Sequence, residues 1–137
     1  MIPRTPVKKC MSAKILSVST SATAHDIAQL MASEGIGCLL VEQSGEFVGI
    51  ITETDLVRKV LGEGVNAASI TAEAIMSFPI SSIDENATLE SAHEAMGGQR
   101  IRHLLVTRKG TPVGLISVRS ILDAAYDWAL QMNKRAA

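Results

Sequence analysis

Thr52 and Asp55 stand three residues apart in the run Gly49-Ile50-Ile51-Thr52-Glu53-Thr54-Asp55, where an apolar segment gives way to a polar one. A hydroxyl and a carboxylate on one helical turn can chelate the two vicinal hydroxyls of a ribose. Gly49, which has no Cβ, allows a close backbone approach at the same junction. The spacing also has an ordinary structural use. Thr52 can be a helix N-cap and Asp55 the N3 carboxylate of a capping box, which stabilises a helix by roughly 1 kcal/mol. Both readings need a strand to end and a helix to begin here, and unpaired N–H groups point outward from such a junction.

The other reactive side chains form no catalytic or metal-binding pattern. Cys10 and Cys38 lack a CxxC or His-paired spacing. Cys38 precedes Leu39-Leu40-Val41 and is expected to be an inert, buried strand residue. His25 and His93 fall on expected helices with no partner at metal spacing. No Ser/His/Asp set and no Walker-type glycine loop is present, and nothing around His103 forms a nucleophile pair. The chain is therefore expected not to be an enzyme. Arg100, Arg102, Arg108 and Lys109 flank one short apolar run, where charge can simply discourage edge-to-edge strand pairing.

A duplication must position these residues. Met11-Ser12 recurs as Met76-Ser77, an offset of 65 residues. At that offset, without a gap, Ala22-Thr23 matches Ala87-Thr88, Leu39-Leu40-Val41 matches Leu104-Leu105-Val106, and Val48-Gly49 matches Val113-Gly114. Each copy reads as β-α-β-β-α. The segments 15–18 and 80–83 are short strands, and Thr23 and Thr88 suit helix N-caps, with Asp26 completing a capping box in the first copy. Ile27, Leu30 and Met31 keep helical spacing, and Gly35 suits the residue just past the helix. The runs 38–42 and 47–52 form a hairpin about Gln43-Ser44-Gly45-Glu46, and a second helix spans 53–61. In the second copy the last helix spans 121–134 and carries Tyr126, Trp128 and Leu130.

One such three-stranded sheet has an apolar face with nothing to cover it. The copies are therefore expected to pack together as an α/β (α+β) pair related by a pseudo-twofold. The first repeat is read as 7–62, the second as 72–125, and 126–137 as a C-terminal helical extension.

Composition narrows the functions further. The 137 residues are 47% hydrophobic but only 3% aromatic, so the core is expected to be aliphatic. A formal charge of −1 argues against nucleic acid as a partner. The N-terminus has no apolar h-region and no run reaches membrane-span length, so a cytoplasmic location with no membrane partner is expected.

Within the gap-free duplicate, which also carries Arg102-His103-Leu104-Leu105-Val106, the G-h-h-T-x-x-D run resembles that of paired CBS domains, the Bateman module. The resemblance covers residues 7–125. It implies a CBS-domain fold in which two repeats form clefts for adenosine derivatives, with pairs dimerising into a flat disc. Carried over residue by residue, it puts Thr52 and Asp55 on the ribose and Thr54 near the ribose or first phosphate. Ile80, Ser81 and Ser82 would lie against the adenine. Arg102, His103 and Arg119 would meet phosphates, with Arg100 close by.

The equivalent positions of the other cleft are Ser117 and Ser120 for the ribose, and Gly37, Cys38 and Thr54 for the phosphates. That cleft lacks both the carboxylate and any cation, so the resemblance implies one competent site and one degenerate one. The cations favour AMP, ADP or ATP over S-adenosylmethionine, whose sulfonium is itself positive, and the choice among the three nucleotides stays open.

The function implied is a non-catalytic sensor. Its ligand would shift the placement of the repeats, or of two modules in a homodimer, and a protein effector in trans would read that shift. The alternative is a structural or dimerisation module with no bound nucleotide. The amphipathic tail is either a dimer or partner surface or a cover for the module's own core.

Overall fold

The computed structural model describes residues 4–136. Its mixed α and β elements form two compact units, which are not the two sequence copies. One is residues 15–80; the other joins the N-terminal segment up to Lys14 with the chain from Ser81 onward.

In the unit 15–80, β1 (Ser17–Ser19), α1 (Ala24–Glu34), β2 (Cys38–Gln43) and β3 (Glu46–Thr52) follow the expected order. Strand β1 runs parallel to β2, and β2 antiparallel to β3. Helix α2 (Glu53–Asp55) continues directly into a π-helical segment, Leu56–Leu61, and α3 (Ala72–Ile75) closes the unit. The second unit opens with a 3₁₀ turn, Val7–Lys9. Its β4 (Ser82–Asp84), α4 (Leu89–Gln99), β5 (His103–Arg108), β6 (Thr111–Ser117) and α5 (Val118–Ala136) repeat the pattern. Strand order and register match the first sheet, including a bulge at Val106/Thr107 equivalent to that at Val41/Glu42.

Local chemistry explains most boundaries. Thr23 caps α1 through a reciprocal box with Asp26, and Gly35 ends it at φ 64°. The hairpin residues Ser44 and Gly45 both have positive φ, 53° and 81°, as the tight turn favoured between twisted strands requires. Strands β1 and β4 begin two residues later than the apolar pattern suggests. Leu40 donates to the Leu16 carbonyl at 2.9 Å, but the parallel ladder itself starts at Ser17. Helix α5 starts at Val118 rather than Ile121 and runs without a break past residue 126; Ala137 lies outside the described residues.

Each core is aliphatic and built from equivalent positions. Ile27, Met31, Leu39, Val41 and Ile51 fill one, with Ala72 and Ile75 from α3. Leu89, Met96, Leu104, Val106 and Ile116 fill the other, with Val7 from the N-terminal segment. That segment is held by backbone hydrogen bonds from Val7 to the Ala87 carbonyl (2.8 Å) and from Leu89 to the Thr5 carbonyl (3.0 Å).

The glycines of the repeated Val-Gly pairs serve these same segments. A Cβ on Gly49 would strike the Met76 side chain, and one on Gly114 would lie 2.6 Å from the Ser12 carbonyl oxygen. The room expected at Gly49 for an approaching ligand is therefore taken up by the protein itself, because Ile50 and Ser77 pair as an antiparallel bridge there.

Cys38 opens β2 and is buried, and desolvation pushes its thiol up to about 11. Near pH 8 only about one molecule in a thousand would then carry the reactive thiolate. Cys10 is partly exposed, with its thiol raised less. In native buffer at pH 8 a disulfide reagent is expected to modify Cys10 at least about tenfold faster than Cys38, and both equally in denaturant. Equal native rates would contradict this.

Candidate functional site

The Gly49–Asp55 run folds as a capped strand-to-helix junction. Thr52 N–H donates to Asp55 Oδ2 at 3.0 Å, and Asp55 N–H donates to Thr52 Oγ1 at 3.3 Å. The Thr52 hydroxyl donates to the same Oδ2 at 3.3 Å. The capping box is thus present, and it holds the Asp55 carboxylate in a fixed, buried position, 9% exposed.

Asp55 Oδ1 faces Lys59 Nζ at 3.1 Å, and that ammonium also donates to the Ile75 carbonyl at 2.8 Å. Lys59 joins the junction to the end of α3. Sequence reasoning passed over it, although its spacing four residues after an aspartate was the available signal. A carboxylate offers roughly four acceptor positions, and these contacts use three, so Asp55 can still accept from a ligand hydroxyl. Thr54 lies beside it on α2 and is exposed.

At the equivalent junction of the second unit, Ser120 N–H donates to Ser117 Oγ at 3.3 Å, and the two hydroxyls are 3.2 Å apart. The cap geometry is retained but the negative charge is gone. This end of the second sheet is where the cations gather. His103 opens β5 opposite Ser117, the Arg102 carbonyl accepts from Val118 N–H at 2.9 Å, and Arg119 is the second residue of α5. In the first unit the same backbone positions hold Gly37, Cys38 and Thr54.

Ile80 ends the unit 15–80, whereas Ser81 and Ser82 begin the C-terminal stretch of the other. The Ser81 hydroxyl donates to Gln99 Oε1, and the Ser81 carbonyl accepts from Leu105 N–H at 3.0 Å. The candidate residues thus form two local clusters, one in each unit: Thr52, Thr54, Asp55 and Lys59 in the first, and Arg102, His103 and Arg119 in the second.

Arg108 does not belong with the edge charges. Its guanidinium grips the buried Glu85 carboxylate with both prongs, Nε to Oε1 at 2.7 Å and Nη2 to Oε2 at 3.1 Å. The hydrogen bond from Arg108 holds the Glu85 carboxyl below the usual carboxylate range, with Arg108 and Lys8 adding their charges. A lowered folded-state pKa stabilises above the unfolded value, 4.5, and that contribution is lost as pH falls through the lower folded value. Arg108→Leu is therefore expected to move the acid-unfolding midpoint, followed by circular dichroism, to higher pH. An unchanged midpoint would show that the pair adds nothing.

Among the described residues no helix is long and apolar enough to cross a membrane. No group of three or more His, Cys, Asp or Glu side chains among them is placed to hold a metal ion.

Comparison with known proteins places this architecture. The family model of the CBS domain matches twice, at residues 7–62 and 72–127. An uncharacterized protein of Methanopyrus kandleri is 36% identical over 111 residues, covering 80% of this chain. The chain spans 57% of that relative's own length. Among solved structures, an uncharacterized conserved protein from Pyrococcus horikoshii superposes with a TM-score of 0.83 at 30% identity, covering 90% of this chain and 94% of that one. A hexameric CBS-CP12 protein from bloom-forming cyanobacteria gives 0.80 at 30% identity, covering 86% of this chain and 69% of its own.

Proposed function

The chain belongs to the CBS-domain family as a tandem pair, a regulatory module, and from that premise we propose that it senses an adenine nucleotide and does no chemistry of its own. In this reading Thr52 and Asp55 hold the ribose and Thr54 lies near the first phosphate. Ile80, Ser81 and Ser82 line the adenine, and Arg102, His103 and Arg119 meet the phosphates of AMP, ADP or ATP. The observation that carries it is the broken symmetry of the two junctions. A buried, pre-positioned carboxylate sits at Asp55 where the second copy has Ser120, while Arg102, His103 and Arg119 of the second copy have only Gly37, Cys38 and Thr54 as their counterparts in the first.

Fixing the carboxylate through its own cap lowers the ordering cost of binding. The signal would pass by conformational change to a protein effector in trans, in the cytoplasm. A thermal-shift panel of AMP, ADP, ATP and S-adenosylmethionine tests this. A ligand at about 100 times its dissociation constant stabilises by about 2.7 kcal/mol. No shift with any of them would overturn the nucleotide reading.

A second reading, a dimerisation module, has its own observation. Val57 and Leu61 follow α2 on the π-helical segment, and both are exposed, at 57% and 75%. Their equivalents in the second copy, Leu122 and Tyr126 on α5, are exposed at 65% and 66%. Apolar side chains kept at the same outward positions of both copies suit an interface between two copies of the chain. The hexameric cyanobacterial relative shows that proteins of this fold assemble.

Leu122→Glu with Tyr126→Glu is expected to convert a dimer to a 14.6 kDa monomer by light scattering. A wild-type chain that is already monomeric at tens of micromolar would remove this reading.

A further inference from the structure

The second copy departs from the first most sharply at the end of α4. Where the first copy reads Ala32-Ser33-Glu34-Gly35-Ile36-Gly37, the second reads Gly97-Gly98-Gln99-Arg100-Ile101-Arg102. The segment changes from one negative charge to two positive ones. It also works against its own backbone. Arg100 adopts a left-handed conformation, φ 56° and ψ 42°, at the position that Gly35 fills in the first copy with φ 64°. A side chain is penalised there and glycine is not. Two glycines meanwhile weaken a helix end that has Ala and Ser in the first copy.

These changes surround a hollow of about 320 Å³, open to solvent and wholly within the second unit. Arg100, Arg102 and His93 line it over an apolar floor of Met96 and Ile101, and no carboxylate does. Among the described residues, no hydrogen bond or ion pair engages the side chain of Arg100, Arg102 or His93. Gly97 also lines the hollow, and a Cβ built on it would meet nothing within 4 Å. Its missing side chain leaves open space rather than accommodating a neighbour.

We propose that this hollow binds a diphosphate group. Two guanidinium forks can each take a phosphoryl group through paired N–H donors, and the imidazole adds a further donor. The apolar floor strengthens those charges by keeping water from one side. The site stands on the second unit alone. It shares Arg102, and the neighbouring Arg100, with the phosphates of the nucleotide reading, whereas His93, Gly97 and the apolar floor are its own, so pyrophosphate binding and nucleotide stabilisation are read separately.

The probe is sodium pyrophosphate, titrated calorimetrically into the full chain at about 0.15 M salt, where non-specific attraction is screened. Arg100→Gly restores the residue of the first copy. It is expected to weaken pyrophosphate binding at least tenfold while raising the melting temperature without ligand. Lys109→Gly is the control. Lys109 also has a positive φ, 50°, in the same unit, but it sits in the β5–β6 turn at the other end of β5. Its substitution removes the same charge and relieves the same backbone, and is expected to change affinity less than twofold.

No binding of pyrophosphate by the wild-type chain, or equal losses in the two variants, would overturn the proposal. Competition with ADP identifies the source. Mutual displacement assigns the hollow to the diphosphate of a nucleotide, and simultaneous binding assigns it to free diphosphate.

Discussion

Gly114→Ala is expected to destabilise the protein by about 2–3 kcal/mol, the upper part of the range for overpacking a filled site. The added Cβ would lie 2.6 Å from the Ser12 carbonyl oxygen and 2.7 Å from Met11 Sδ. The sulfur can move away by rotating the methionine side chain, but the carbonyl cannot. Ser12 and Leu115 exchange both backbone hydrogen bonds at 2.9 Å, so relief requires that bridge to open. Gly49→Ala supplies the internal comparison, because the three atoms nearest its Cβ all belong to the Met76 side chain. Met76→Ala is accordingly expected to rescue much of the Gly49→Ala loss. Met11→Ala is expected to leave most of the Gly114→Ala loss in place. Urea unfolding midpoints at constant slope measure all four variants, and a Gly114→Ala protein as stable as wild type would sink the argument.

Asp55→Asn is expected to reduce nucleotide affinity by roughly 10- to 100-fold, the loss of a hydrogen bond to a charged group worth about 1.5–3 kcal/mol. Asparagine keeps an oxygen for the Thr52 N–H, so the cap should persist, although the amide no longer pairs with Lys59. Asp55→Ala would confound the result by removing the cap as well as the charge. Unchanged calorimetric affinity in a folded Asp55→Asn chain would mean that Asp55 is a cap and nothing more, and would favour the dimerisation reading. Ser120→Asp is the complementary variant. It restores the carboxylate at the second junction, yet with no cation at Gly37 or Cys38 it is not expected to create a second phosphate site.

These variants also mark what could be read in advance. The Thr52–Asp55 box and the Thr23–Asp26 box were legible because a cap is a matter of spacing within four residues. So was the Ser44-Gly45 turn, since the strands on either side demand positive φ at both positions. The start of β1 was not legible. Residues 15 and 16 look like strand, but the parallel register with β2 decides where the ladder begins, and that partner lies more than twenty residues away.

Arg108 looked like one more edge charge, because its partner Glu85 is 23 residues distant and no local pattern links them. Met11 and Met76 were visible as matched positions. Nothing in their neighbourhood said that each would seal a glycine, one of them at residue 114 and the other at residue 49. In the candidate site each cluster could be read within its own copy. The asymmetry between them emerged only from comparing the copies position by position.

The division of the chain into 15–80 and two flanking pieces carries a consequence for how the protein assembles. The first unit is uninterrupted, so every contact it needs closes within a single stretch of chain. The second must bring Val7 onto Leu89 and Ser12 onto Leu115 across that whole stretch. Loop closure on that scale costs entropy before any contact repays it, so the second unit should complete later. A ribosome releases the chain in the order that suits this nesting. The inner unit can fold as it emerges, and its compaction shortens the span the outer unit has to close.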